Sequence, residues 1–258
     1  MPKAIGVLQA RMSSTRLPGK VLLPILGRPM LTRQIQRLRR CKRMDLLVVA
    51  TSTEGIDRDI EGLCKAEGVA YYRGALDDVL DRFYHAALPY EPKTVVRLTG
   101  DCPLTDPALI DRMITAFSER DVDYLTNAIE PTFPDGLDAE VMRFSCLETA
   151  WREARLPSER EHVTQFISNH PERFRIGHYK ESPDLSHLRW TVDESADYEL
   201  VTRIYKALFP ANEAFTTQDI LQWLAANPRW KTHNTAHQRN EGLAKSLTAD
   251  ADVQIPSP

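Results

Sequence analysis

The sequence predicts an α/β protein built on a largely parallel sheet, and three observations carry that reading. Residues 4–8 form a short apolar run of the kind found in strands buried on both faces, and 46–51 and 94–98 read as further strands. Each is followed by a polar turn and then by apolar residues at helical spacing, so strand–helix units succeed one another along the first half of the chain. A length of 258 residues, 42% apolar and 27% charged, supplies one substantial core and excludes a disordered or fibrous chain.

The elements follow in order. The first strand, 4–8, runs into a polar, glycine- and proline-containing stretch from Gln9 to Lys20. Pro29 suits a first helical position, and Leu31, Ile35 and Leu38 then mark one helix face. The strand at 46–51 leads to a helix over 57–67 and a strand at 69–72. Asp77 can cap a helix carrying Leu80, Phe83, Tyr84 and Ala87. After the strand at 94–98, Asp106 with Pro107 starts a helix carrying Leu109, Ile110 and Met113. Beyond Tyr124 the alternation fades into a loop with Pro131, Pro134 and Gly136, a strand at 139–143, and helices near 145–155 and 160–169. A strand around 187–192 and helices over 196–208 and 217–226 return to regular packing, with no internal repeat. The division is therefore one domain over 1–231, with a lateral section near 127–180, and a polar segment over 232–258 whose last ten or so residues are expected to be disordered.

Charge is uneven. Residues 1–43 hold 11 Lys and Arg and no acid, leaving 22 basic against 36 acidic residues in the remainder. That asymmetry fits a compact polyanion at the N-terminal segment and a cation held by carboxylates elsewhere. Arg33, Arg37, Arg39, Arg40 and Arg43 read as the solvated face of a helix, whereas Arg11, Arg16 and Lys20 sit in the loop. A net charge of −3, with no aromatics among these cations, argues against nucleic acid as a partner. The apolar run at 21–26 is broken by Pro24 and far shorter than the roughly 20 residues a bilayer requires, so no membrane partner is expected. The N-terminus lacks a signal-peptide layout, so the chain is expected to stay in the cytoplasm. Cys41, Cys64, Cys102 and Cys146 have neither metal-site nor disulfide-framework spacing and read as reduced, mostly buried thiols.

Two familiar phosphate motifs fail. Ser14 stands where a P-loop needs its first glycine and Val21 where it needs a hydroxyl, and no G-x-G-x-x-G follows the first strand. The stretch 8–20 offers another grip: small residues for close backbone approach and three cations within ten positions. Each cation contributes about 4 kcal/mol at 4 Å from a phosphate oxygen at the dielectric of a partly buried loop.

This loop, with Gly27-Arg28-Pro29-Met30 after it, resembles the signature of the cytidylyltransferases of the CMP-sugar synthetase type, which include the CMP-KDO and CMP-sialic acid synthetases. Within that family it is most similar to the spore coat polysaccharide biosynthesis protein F branch. The likeness continues through Arg73-Gly74, Asp77-Asp78-Val79-Leu80-Asp81-Arg82-Phe83, Leu98-Thr99-Gly100-Asp101-Cys102-Pro103-Leu104, Pro134-Asp135-Gly136-Leu137-Asp138, Ser158-Glu159-Arg160-Glu161-His162-Val163-Thr164 and Leu188-Arg189-Trp190-Thr191-Val192-Asp193. Arg239-Asn240-Glu241-Gly242 is similar to the family's closing segment.

The resemblance implies a nucleotide-diphosphosugar transferase-like Rossmann variant, a homodimer, and transfer of CMP from CTP to an acidic sugar with release of pyrophosphate. It implies that Arg11, Arg16 and Lys20 contact the phosphates and that Leu8, Gln9 and Ala10 bring backbone to the nucleoside. Thr51, Arg73, Asp78 and Val79 would line the base and ribose pocket, with Thr99 and Gly100 completing the nucleotide site. Asp101 and Asp193 would be the Mg²⁺ ligands and, with Arg16 and Lys20, the catalytic set; two carboxylates plus phosphate oxygens form the hard oxygen environment this ion prefers. The acceptor site would draw on Asp135, Gly136, Asp138, Arg160, Glu161, His162 and Trp190. His162 also reads as an ordinary helix histidine, Trp190 as core and Asp193 as a helix cap. A glycosyltransferase of GT-A-like architecture is the competing reading, but a diphosphate donor has no need of three loop cations.

Overall fold

The computed structural model describes residues 3–234, 239, 246–248 and 250. The chain runs β1 (Ala4–Gln9), a two-residue hairpin β2 (Pro24–Ile25) and β3 (Arg28–Pro29), and α1 (Met30–Leu38). It continues with β4 (Leu46–Ser52), α2 (Arg58–Glu67), β5 (Ala70–Gly74), α3 (Val79–Ala87), β6 (Thr94–Thr99) and α4 (Pro107–Glu119). Then follow β7 (Tyr124–Thr126), β8 (Glu140–Arg143), α5 (Phe144–Glu153), α6 (Pro157–Glu161), α7 (Gln165–Asn169), β9 (Ile176–His178), α8 (Ser195–Leu208) and α9 (Thr217–Ala226).

The main sheet has the order β5-β4-β1-β6-β8-β7-β9. β5, β4, β1 and β6 are parallel, while β8 lies antiparallel to both of its neighbours. The sheet therefore runs on through the lateral section. Side chains alternate between two cores: Ile5 and Val7 join Val48, Ala50, Val95 and the α3 residues Leu80 and Phe83, whereas Ala4 and Leu8 join Val49, Val96, Leu98 and the α1 residues Leu31 and Ile35. Burial on both faces is what the apolar residues of these strands encode. Among the described residues no helix is long and apolar enough to cross a membrane.

Four expectations change. The segment 187–192 is not a strand: it makes one bridge, Asp135 to Arg189, and the N–H groups of Trp190, Thr191 and Val192 donate to Asp135 O and Asp101 O instead of to a ladder. The helix over 160–169 is two short helices, interrupted where Val163 adopts φ 54°. Asp78 rather than Asp77 caps α3, accepting from Asp81 N at 2.9 Å. Arg33 and Arg37 are buried rather than solvated, because they donate to the carbonyls of Ile25, Leu26, Thr105 and Phe215 and lie 4.4 Å over the Phe209 and Phe215 rings. All four cysteines are free, three of them buried.

Candidate active site

The carboxyl ends of β1 and β6 come together at Gly100, whose N–H donates to Gln9 O at 2.8 Å. A Cβ at that position would stand 2.8 Å from the same oxygen, so the approach requires glycine. The loop leaving β1 is pinned from β4 and α2. Asp57, fully buried, accepts from Met12 N at 2.8 Å with one oxygen and from the Ser52 N–H and hydroxyl with the other. Between loop and strand ends lies a cavity of about 480 Å³. Gln9, Ala10, Arg11, Ser14, Thr15, Arg16 and Lys20 line it from the loop, and Thr99, Gly100 and Asp101 from the end of β6. Val21, Arg82, Glu161, Asp193 and Ser246 complete the wall. This is the sheet edge at which open α/β proteins bind ligands.

Lys20 stands between two carboxylates, its Nζ 2.7 Å from Asp193 Oδ1 and 3.4 Å from Asp101 Oδ2. Burial works against its charge, but Asp101 and Asp193 outweigh it and hold the ammonium pKa above the ordinary lysine value. Burial likewise opposes ionisation of Asp101, yet Lys20 and the hydrogen bonds from Thr99 and Cys102 keep its carboxyl below the ordinary range. Arg16 Nη2 approaches Asp193 Oδ2 at 2.8 Å. The two aspartates therefore share Lys20, and Asp193 also pairs with Arg16.

A family model described as Cytidylyltransferase matches residues 5–218. The chain belongs to the cytidylyltransferase family. It is a CTP-dependent nucleotidyltransferase, which sets the glycosyltransferase reading aside. The spore coat polysaccharide biosynthesis protein SpsF of Bacillus subtilis is 35% identical over 92% of this chain and 100% of its own length. A cytidylyltransferase from Leptospira borgpetersenii superposes with a TM-score of 0.85 at 34% identity, covering 92% of this chain and 99% of that one. A CMP:2-keto-3-deoxy-manno-octonic acid synthetase complexed with CTP superposes with a TM-score of 0.62 at 18% identity over 80% of this chain and 99% of that one, a likeness of fold alone.

In this cytidylyltransferase, Gln9, Ala10, Arg11, Arg16, Lys20, Thr99, Gly100, Asp101, Glu161 and Asp193 all meet in the cavity. Other residues singled out in the sequence stand elsewhere. Leu8 and Val79 are core. Thr51 is fully buried with its hydroxyl unpartnered, and by strand alternation it faces the core opposite to Gln9. Arg73 is engaged with Glu61 and the carbonyls of Ser52 and Glu54. Trp190, 1% exposed, packs in the core and offers no stacking platform. Gly136 is structural: at φ 102° its Cβ would lie 2.4 Å from Thr191 N, where the chain crosses beside Asp135.

The acceptor candidates fall into separate sets. Asp78 and Arg160 pair across a recess of about 370 Å³ that shares Arg11 and Glu161 with the main cavity. His162 Nε2 lies 2.8 Å from Ser246 Oγ, which donates to Glu161 Oε2 at 2.6 Å; burial lowers the imidazole pKa. Asp138 pairs with Arg239, and its burial raises the carboxyl pKa despite that cation. Ser246 thus stands at the cavity wall and Arg239 at Asp138, while Asn240, Glu241, Gly242 and the final residues lie outside the described ones.

Several positioning residues escaped sequence reading because nothing local marks them. Arg189 is buried against Asp197, Asp135 and Asp193. Asp197 in turn accepts the N–H groups of Asp193 and Glu194 and the Asn234 amide. Among the described residues no group of three or more metal-type side chains exists. Asp101 and Asp193 nonetheless fit a divalent ion whose remaining ligands are phosphate oxygens and water, the way Mg²⁺ is ordinarily bound beside a nucleotide.

Proposed function

We propose that this cytidylyltransferase transfers CMP from CTP to an acidic sugar or a related surface-polysaccharide precursor and releases pyrophosphate. The observation that carries the reading is the convergence of Lys20, Arg16 and Arg11 on one cavity with Asp101 and Asp193, beside a recess rimmed by Arg160 and Glu161. Arg11, Arg16 and Lys20 would bind the triphosphate and offset charge on the departing pyrophosphate. Asp101 and Asp193 would hold Mg²⁺, which supplies Lewis-acid polarisation of the phosphoryl oxygens and orients the attacking hydroxyl. Arg160 would meet an acceptor anion, and SpsF, named for polysaccharide biosynthesis, supports a polysaccharide precursor as acceptor. A panel of sugar acids incubated with the protein, CTP and Mg²⁺ and scored for pyrophosphate release tests the proposal. Release dependent on at least one sugar acid is the expected result; release with none of them, while neutral sugars or alditol phosphates are turned over, would replace the acceptor class.

A further inference from the structure

Transfer of CMP to a hydroxyl releases a proton, and the cations Arg11, Arg16 and Lys20 have no acceptor with which to take it. Asp101 and Asp193 both lie at ion-pair distance from Lys20 and are the carboxylates proposed to hold Mg²⁺. Among the described residues, Glu161 is the remaining carboxylate of the cavity wall, and its one ion-pair partner is His162, at 3.9 Å. Burial lowers the His162 pKa, so at neutral pH the ring is neutral and Glu161 faces no cation there.

Position sets Glu161 apart as well. It lines both the cavity that holds the loop cations and the recess that carries Arg160. With CTP in the first and the acceptor in the second, the attacking oxygen must stand where the two spaces meet. A general base has to lie within hydrogen-bond reach of that oxygen, directly or through one intermediary. Ser246, on the same wall, supplies the intermediary: its Oγ donates to Glu161 Oε2 at 2.6 Å and lies 2.8 Å from His162 Nε2. Because the serine proton goes to the carboxylate, the imidazole carries its hydrogen on Nε2 and donates to the same oxygen. A hydroxyl can pass one proton on while it receives another. The segment carrying Ser246 is fastened to the helix that carries Glu161. Asp250 accepts from Ser158 N at 2.9 Å and from the Ser158 hydroxyl at 2.6 Å, and Ser158 is fully buried on α6.

We propose that Ser246 and Glu161 form a relay that removes the proton of the attacking hydroxyl. As the acceptor oxygen bonds to the α-phosphorus, the bond from that phosphorus to the pyrophosphate oxygen breaks and its electron pair leaves with pyrophosphate. The hydroxyl proton passes to Ser246 Oγ, and the serine proton passes to Glu161 Oε2. Ser246 ends as it began, Glu161 ends protonated, and His162 Nε2–H holds the serine oxygen throughout. This inference rests on the proposed transfer of CMP to a hydroxyl acceptor.

The test compares wild type, Ser246→Ala, Glu161→Gln and the double variant with CTP, Mg²⁺ and whichever sugar acid, neutral sugar or alditol phosphate the wild type turns over fastest. Single turnovers isolate the chemical step, read as pyrophosphate release in mixtures of H₂O and D₂O. Glu161→Gln should slow that step by about 10²- to 10⁴-fold, the usual contribution of a positioned base, without weakening CTP binding. Ser246→Ala should slow it by at least about tenfold, and the double variant should be no slower than Glu161→Gln, as groups acting as a unit behave. The wild-type rate should curve with deuterium fraction, as two moving protons require, and either single variant should give a straight or flat line. A purely structural role would not change that shape. Glutamine keeps an oxygen for the Ser246 hydroxyl, so Glu161→Gln decides the matter if Ser246→Ala does not fold. A folded Glu161→Gln within about threefold of wild type, or a straight line for the wild type, would overturn the relay. So would a stoichiometric burst of pyrophosphate without acceptor, which would make Ser246 a nucleophile. If the wild type releases pyrophosphate with none of the acceptors, the transfer reading itself falls, and the relay with it.

Discussion

Asp197→Asn tests the scaffold that aims Asp193 into the cavity. The Asp197 carboxylate is 0% exposed and accepts from Arg189 Nε and Nη2 at 3.0 Å each, from Asn234 Nδ2 at 2.7 Å, and from the N–H groups of Asp193 and Glu194 at 3.0 and 2.9 Å. Asparagine keeps one acceptor oxygen and turns the other into a donor that faces only donors. Removing one partner of a buried ion pair costs about 3–5 kcal/mol, and the retained oxygen sets the expectation near 3. At roughly 2–4 °C per kcal/mol for a chain of this size, the melting temperature should fall by about 6–12 °C. The pH dependence carries a sign. Burial alone would raise the Asp197 pKa, but Arg189, the Asp193 N–H and Asn234 hold it below the ordinary value. The carboxylate therefore stabilises the fold fully above its unfolded-state pKa of about 3.9 and loses that contribution as pH falls through the lower folded-state value. The gap between wild type and variant in differential scanning fluorimetry should be widest near neutrality and narrow below about pH 4. A variant melting within about 2 °C of wild type at pH 7, or a gap that widens in acid, would refute the reasoning.

Lys20→Met should lower kcat/KM for CTP by about 10²- to 10³-fold in a pyrophosphate-release assay while circular dichroism stays native, because a single preorganised charge is removed from the cavity. A loss within about threefold would take Lys20 out of the chemistry. Gly136→Ala should destabilise the protein by more than about 2 kcal/mol in urea titration, since φ 102° strains an L-residue and the new Cβ would meet the Thr191 N–H at 2.4 Å. An unchanged midpoint would mean that the 135–191 crossing is pliable.

The centre of this molecule is legible in its sequence, and the periphery much less so, for physical reasons. β1 and β4 are buried on both faces and read as nearly continuous apolar runs, while β6 keeps Val95, Val96 and Leu98 around Arg97, which pairs with Glu140. β7 and β9, three residues each, are too short to carry any period. Leu188, Trp190 and Val192 alternate as a strand would, yet their backbone is tied to Asp135 and Asp101, and such ties leave no trace in composition. Arg33 and Arg37 are polar letters on a helix covered from two sides, and burial came from the carbonyls and rings they meet rather than from helical spacing. The site follows the same division. Arg11, Arg16, Lys20 and Asp101 are consecutive with their strands, whereas Asp57, Arg82, Asp197 and Ser246 matter through partners that only the fold brings near.

The shared partners of Asp193 lead to a prediction of unexpected sign. Its carboxylate takes Lys20 Nζ at 2.7 Å and Arg16 Nη2 at 2.8 Å, so two of the cations that would meet a triphosphate are already neutralised by the protein itself. A triphosphate must compete with that carboxylate, and it also feels its repulsion. At an effective dielectric near 20, two unit charges 6 Å apart interact by about 3 kcal/mol, of which screening in an open cavity leaves about 1–2. In buffer containing a chelator, Asp193→Asn should therefore bind CTP roughly five- to thirtyfold more tightly than wild type. With Mg²⁺ present the order should reverse and turnover should collapse, because the amide retains an acceptor oxygen but not the charge that would hold the ion. Weaker CTP binding by the variant in both buffers would mean that Asp193 shapes the loop through Lys20 and Arg16 and does not compete with phosphate for them. Stronger binding without metal, together with lost turnover, would separate the grip on the nucleotide from the chemistry done on it.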